Sequence, residues 1–67
     1  MTYSIIGSGL IGTAIARQFS RAGLDIRIAN RRGADSLGDL ARELGPHLRP
    51  VRLAEALAAD MVFLALP

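Results

Sequence analysis

Ser4-Ile5-Ile6-Gly7-Ser8-Gly9-Leu10-Ile11-Gly12 is the stretch that decides the reading of this chain. The glycines fall as G-x-G-x-x-G, an apolar run precedes them, and helix-patterned sequence follows. Each glycine has a physical use in that setting. Gly7 permits a tight turn out of a strand. Gly9 leaves no side chain between the backbone and an approaching pyrophosphate. Gly12 lets the helix pack close against the strand. The free amides near Leu10 and Ile11 then face the phosphates, and the helix dipole adds to the attraction. Ser8 and Thr13 carry hydroxyls that either donate to phosphate or serve as ordinary turn and helix residues.

Outward from this motif, elements alternate. Tyr3 to Ile6 reads as a strand. Leu10 to Ala22 reads as a helix with Leu10, Ile11, Ala14, Ile15, Phe19 and Ala22 as its apolar face, and Gly23 takes the C-terminal cap position. Asp25 to Asn30 is a second strand, in which Ile26 and Ile28 alternate with Arg27. Asp35 or Ser36 is placed to cap a second helix whose face is Leu37, Leu40, Ala41 and Leu44. Gly38 weakens that helix by about 1 kcal/mol relative to alanine, and Gly45-Pro46 stops it. Leu48 to Val51 is a short strand. Its Pro50 lacks an amide hydrogen, so the strand belongs at a sheet edge. Leu53 to Ala59 is a short helix, which Asp60 is read as ending. Met61 to Leu66 is an apolar run of the kind buried on both faces of a sheet.

The order β-α-β-α-β-α-β argues a Rossmann-type α/β fold with a parallel sheet. The usual strand order, 3-2-1-4, puts the proline-bearing strand outside and the most apolar one inside. A complete doubly wound sheet needs two such halves, so residues 1–67 are expected to form the N-terminal part of one domain. The outer side of strand four would be an unpaired edge, which predicts aggregation or a homodimer.

Composition narrows the chemistry. The chain has 67 residues, 51% hydrophobic and 21% charged, with a formal net charge of +2 and no cysteine. Disulfides, thiolate metal sites and a cysteine nucleophile are excluded, and one histidine makes no metal site alone. All the basic residues are arginines, scattered except for Arg31-Arg32, which is no nucleic-acid-binding pattern. No apolar stretch reaches the roughly 20 residues needed to span a bilayer, and a cytoplasmic setting is the expectation. His47 falls in a loop remote from the glycine turn and is read as a surface residue.

The second chemical signal ends strand two. A site for NAD carries Asp or Glu about 20 residues beyond the glycines, to hold the ribose hydroxyls. Asn30 stands there instead, followed by Arg31 and Arg32. A carboxylate would repel a 2′-phosphate, whereas a guanidinium binds it through paired hydrogen bonds. The pattern therefore favours NADP over NAD, with Asn30 still able to hydrogen-bond the ribose. A methyltransferase or flavoprotein would usually carry an acid at this position. Leu66-Pro67 ends strand four on the ligand side, and Pro67 is a candidate for the nicotinamide pocket as well as a plain strand terminator.

These residues, with Ile28-Ala29-Asn30-Arg31-Arg32-Gly33-Ala34-Asp35-Ser36-Leu37 and Ala58-Ala59-Asp60-Met61-Val62-Phe63-Leu64-Ala65-Leu66-Pro67, resemble the NADPH-dependent coenzyme F420 reductases and related NADP-binding oxidoreductases. That group has a segment close to ISNSRGPESL after strand two. The resemblance covers essentially the whole chain. It implies an oxidoreductase moving hydride between NADP and a deazaflavin or other small acceptor. It also implies that Asn30 and Arg31, with Arg32 beside them, hold the 2′-phosphate. Many members have serine where Arg31 stands, which leaves open which arginine does this work. Pyrroline-5-carboxylate reductases, β-hydroxyacid dehydrogenases and imine reductases are similar over the same stretch. A module that senses NADP without turnover is the alternative of a different class. No residue of the chain reads as a general acid or proton relay, so catalytic residues are unassigned.

Overall fold

The computed structural model describes residues 1–65, apart from the side chains of Ala34 and Asp35. The chain runs β1 (Tyr3–Ile6), α1 (Leu10–Arg21), β2 (Ile26–Ala29), a 3₁₀ turn (Ala34–Leu37), α2 (Gly38–Leu44), β3 (Leu48–Pro50), α3 (Leu53–Leu57) and β4 (Met61–Leu64). The four strands form one parallel sheet in the order β3-β2-β1-β4. This is the Rossmann-like topology expected from the alternation of elements and from Pro50.

Side-chain alternation along the strands divides the core into two layers. Ile5, Ile26, Ile28 and Leu48 face α1 and α2, joined by Ala16 and Leu37. Phe19 of α1 stacks edge-on against Tyr3 and Phe63, with ring centroids at 5.1 and 5.8 Å, and so ties β1 to β4. On the other face Ile6, Ala29, Val51 and Ala56 enclose a smaller cluster under α3. There Ser4, fully buried, donates its hydroxyl to the Ala56 carbonyl at 2.6 Å. α3 has only five residues, far too few to persist by helix propensity alone. The Ser4 hydrogen bond and the burial of Ala56 hold it to the sheet.

β3 sits at the edge, as its proline requires. Val51 donates its amide to the Ile28 carbonyl at 2.8 Å. Alternation then turns the nitrogen of Pro50, one residue earlier, away from β2, where no hydrogen bond is lost. α1 ends in a Schellman pattern, with the Gly23 amide on the Ser20 carbonyl and the Leu24 amide on the Phe19 carbonyl.

Four expectations are corrected. The face of α1 against the sheet is Gly12, Ile15, Ala16 and Phe19, whereas Leu10, Ile11, Ala14 and Ala22 are exposed. Small residues mark the buried arc because the helix lies close to the sheet, and size, not hydropathy, is selected there. α2 is not capped by Ser36: a 3₁₀ turn intervenes, Leu37 is the cap residue, and no side chain bonds the free amides. Asp35 as a cap lies outside the described side chains. β4 is not buried on both faces: Met61 and Leu64 are 43% and 70% exposed, since among the described residues only β1 pairs with it. Asp60 does not end α3, which stops at Leu57 with Ala58 as its cap. Asp60 instead accepts hydrogen bonds from the Thr2 amide and hydroxyl at 2.7 and 3.1 Å, and returns its own amide to the Thr2 hydroxyl. The carboxyl of Asp60 is held below the usual range, first by the Thr2 amide and then by the Thr2 hydroxyl.

Candidate functional site

The glycine turn lies at the C-terminal ends of β1 and β2, where open α/β sheets bind ligands. Gly7 has φ +112°, a conformation that a side chain would strain, and its amide extends the β1–β2 ladder to the Ala29 carbonyl at 2.8 Å. Gly12 meets a different demand. A Cβ there would collide with the Gly7 carbonyl oxygen and lie 3.3 Å from the Ala65 Cβ. The helix therefore rests directly on the backbone of the turn.

Gly9 is explained by neither effect. Its φ of −74° suits any residue, and a Cβ at this position would find no atom of the other described residues within 4 Å, its chain neighbours and own helix backbone aside. The fold does not require glycine here, whereas a ligand against the backbone would. Gly9 is also the N-cap of α1 and offers no side-chain cap, and the first turn holds no acidic residue. The amide of Thr13 is bonded to the Gly9 carbonyl at 2.9 Å. The amides before it are left to an outside acceptor, and the positive end of a 12-residue helix points the same way.

A cleft of about 780 Å³ opens in front of this turn, within the usual size range of small-molecule sites. Gly7, Ser8 and Gly9 form its floor. Leu10 and Ile11, 94% and 69% exposed, form an apolar lip. Asn30, Arg31 and Arg32 form the far wall, and among the described residues no acidic one lines it. The structure thus brings together Gly7, Ser8, Gly9, Leu10, Ile11, Asn30, Arg31 and Arg32, with Gly12 beneath them. Leu66 and Pro67 lie outside the described residues. Thr13 turns inward, donating its hydroxyl to the Ser8 carbonyl at 3.2 Å. His47 is remote and contacts Asp25 at 2.9 Å.

Asn30 is more engaged than its position in the sequence suggests. Its Oδ1 accepts the Arg32 amide at 3.1 Å, an Asx turn. That bond orients the side-chain amide, because only the oxygen can accept. Nδ2 then donates to the Ser8 hydroxyl and to the Ser36 hydroxyl, each at 3.0 Å. Ser36 has one hydrogen of its own between two acceptors, the Gly33 carbonyl at 2.8 Å and Asn30 Oδ1 at 3.1 Å, and the shorter bond goes to Gly33. Ser36 was not a candidate residue. The short hydroxyl side chain six positions beyond Asn30, in a loop with Gly33, was the available signal.

Sequence and structure comparisons agree with this geometry. The family model described as NADP oxidoreductase coenzyme F420-dependent matches residues 2–67. The solved structure of the hypothetical protein SMa0349 from Sinorhizobium meliloti superposes with a TM-score of 0.87 at 41% identity, over 96% of this chain and 32% of that one. The chain thus spans about a third of the length of that protein. None of the curated proteins searched matches. A Rossmann-like sheet and a match across nearly every residue lead to one assignment: the chain belongs to the NADP oxidoreductase, coenzyme F420-dependent family, a family of nucleotide-dependent oxidoreductases.

Proposed function

We propose that the chain binds NADP(H) in preference to NAD(H), as the cofactor-holding part of an oxidoreductase. The reaction we assign to the larger protein is hydride transfer between NADP and a deazaflavin or another small acceptor. The observation that carries the cofactor reading is the cleft wall. Two arginines and, among the described residues, no carboxylate stand beside a helix N-terminus that has no side-chain cap and is fronted by a glycine whose Cβ would meet none of those residues.

When bound, the nicotinamide supplies the hydride chemistry. The residues of this chain bind and orient. The amides after Gly9 and the dipole of α1 receive the pyrophosphate. Ser8 adds a hydroxyl, and Leu10 and Ile11 give apolar contact at the mouth. Arg31 and Arg32 hold the 2′-phosphate, and Asn30 belongs to the same wall. Pro67 completes the proposed set on the nicotinamide side.

The test is a titration with 2′,5′-ADP and with 5′-ADP, followed by backbone amide shifts. Tighter binding of the 2′-phosphorylated ligand, with shifts at Gly9 to Gly12 and at Asn30 to Arg32, supports the proposal. Replacing whichever arginine bonds the phosphate, by Arg31→Ala or Arg32→Ala, should weaken 2′,5′-ADP by about tenfold or more while leaving 5′-ADP nearly unchanged, given the strength of charge-assisted hydrogen bonds. Equal affinity of the unsubstituted chain for the two ligands would remove the NADP preference.

A further inference from the structure

We infer that Asn30 is a positioning residue, which acts on a bound nucleotide through Ser8 and the Arg31-Arg32 loop without touching the ribose. The inference rests on the proposal that this cleft binds a nucleotide, and it assigns a role within that site.

The polar groups of Asn30 are all in use. Oδ1 receives the Arg32 amide, and the two hydrogens on Nδ2 reach Ser8 and Ser36. A side-chain amide has two donor hydrogens and one acceptor oxygen. Both hydrogens are therefore committed inside the protein, on groups that belong to two different loops. One group is the middle of the glycine turn. The others are the backbone that carries Arg32, and Ser36 within the following 3₁₀ turn. Asn30 thereby sets the register between the phosphate-facing turn and the arginine loop.

The direction of the bond to Ser8 has a chemical result. A serine hydroxyl has one hydrogen and two lone pairs. Because Nδ2 is the donor, the Ser8 oxygen accepts, and its own hydrogen stays free. Ser8 lines the cleft and is half-buried beside Gly9, so that hydrogen is available to a phosphate oxygen. Aspartate at position 30 would reverse this. It could still accept the Arg32 amide and bond Ser36, so the loop would keep its shape. A carboxylate has no hydrogen to give, however, and would draw the Ser8 hydrogen to itself and away from the ligand.

The two accounts of Asn30 therefore predict opposite signs. If residue 30 reads the ribose directly, Asn30→Asp should tighten 5′-ADP, because a carboxylate can take both ribose hydroxyls. If it acts through Ser8, the same substitution should weaken 5′-ADP by about tenfold, the loss of one hydrogen bond to a charged group. General repulsion between the new carboxylate and phosphate is separated by a double-mutant cycle with Ser8→Ala. The probe is 5′-ADP, with affinities measured by calorimetry and folding checked by amide dispersion. The expected result is that Asn30→Asp costs about tenfold in the parent chain and much less in the Ser8→Ala background. Tighter 5′-ADP binding, or an equal loss in both backgrounds, would overturn the inference. A folded parent chain that binds neither 5′-ADP nor 2′,5′-ADP would refute the nucleotide site itself, and this role with it.

Discussion

Alanine at Gly12 and alanine at Gly9 should fail in opposite ways. At position 12 the added methyl meets the Gly7 carbonyl, with the carbonyl carbon at 3.1 Å and the Ala65 Cβ at 3.3 Å. The principal obstacle is backbone and cannot swing aside. Restoring ordinary contact means withdrawing the helix by about 1 Å. Overpacking of this kind costs about 1–3 kcal/mol, and a collision with backbone belongs at the upper end. Better helix propensity returns at most about 1 kcal/mol, so a net loss of about 2 kcal/mol is expected. A domain of this size loses roughly 4–8 °C in Tm per kcal/mol, which places the fall at about 8–16 °C. At position 9 the methyl enters open space. Alanine is a poorer N-cap than glycine by roughly 0.5–1 kcal/mol. Restricting the unfolded chain gains about 0.4–1 kcal/mol. The two offset, so Tm should move by only a few degrees, while affinity for 2′,5′-ADP falls because the methyl stands where the phosphate would approach. Thermal unfolding by circular dichroism and titration with 2′,5′-ADP read the two effects separately. A stable Gly12→Ala would refute the packing argument. A folded Gly9→Ala with undiminished affinity would refute the placement of phosphate on the first turn of α1.

Two further outcomes follow from hydrogen bonds away from the cleft. Ser4→Ala removes the hydroxyl bond to the Ala56 carbonyl, which keeps the Ala59 amide at 3.2 Å, and should destabilise the chain by about 0.5–1.5 kcal/mol; a denaturant midpoint equal to that of the parent would contradict the anchoring role of Ser4. Asp60 has a depressed pKa in the folded state. Its contribution is therefore complete above the unfolded value of about 4 and is lost as pH falls through the folded one. Acid titration of Tm should show Asp60→Asn losing part of the decline below about pH 4, and an unchanged acid limb would exclude the Thr2 clasp as its source.

The order of elements, the sheet topology and the glycine turn were legible because they depend on local signals: a strand-length apolar run, three spaced glycines, a proline that tolerates only an edge. The buried side of α1 was not. Hydropathy pointed to Leu10, Ile11 and Ala14, but the helix sits so close to the sheet that Gly12 and Ala16 are what fit. Leu10 and Ile11 line the cleft and lie outside the core. Ser4 was unreadable for a related reason. Its partner is a carbonyl 52 residues away, and nothing local announces a serine on the inner face of a strand. The start of α2 was misplaced because Ser36 looks like a cap, yet its hydroxyl is used by Asn30 and Gly33. At the candidate site, residue identities were legible and their division of labour was not. That division rests on which hydrogen goes to which oxygen between two loops.

Pro50 gives the sheet a direction of growth. Its nitrogen faces outward from β3 and has no hydrogen to offer, so a strand arriving on that side would meet an incomplete ladder. β4, at the opposite border, contains no proline across Met61–Leu64 and exposes an apolar side chain at each end. Any extension of the sheet, by further chain as in a protein three times this length or by a second copy, is thus steered to the border beside β4. That border adjoins Ala65 and the mouth of the cleft, so whatever extends the sheet there also comes to stand next to the proposed nucleotide site.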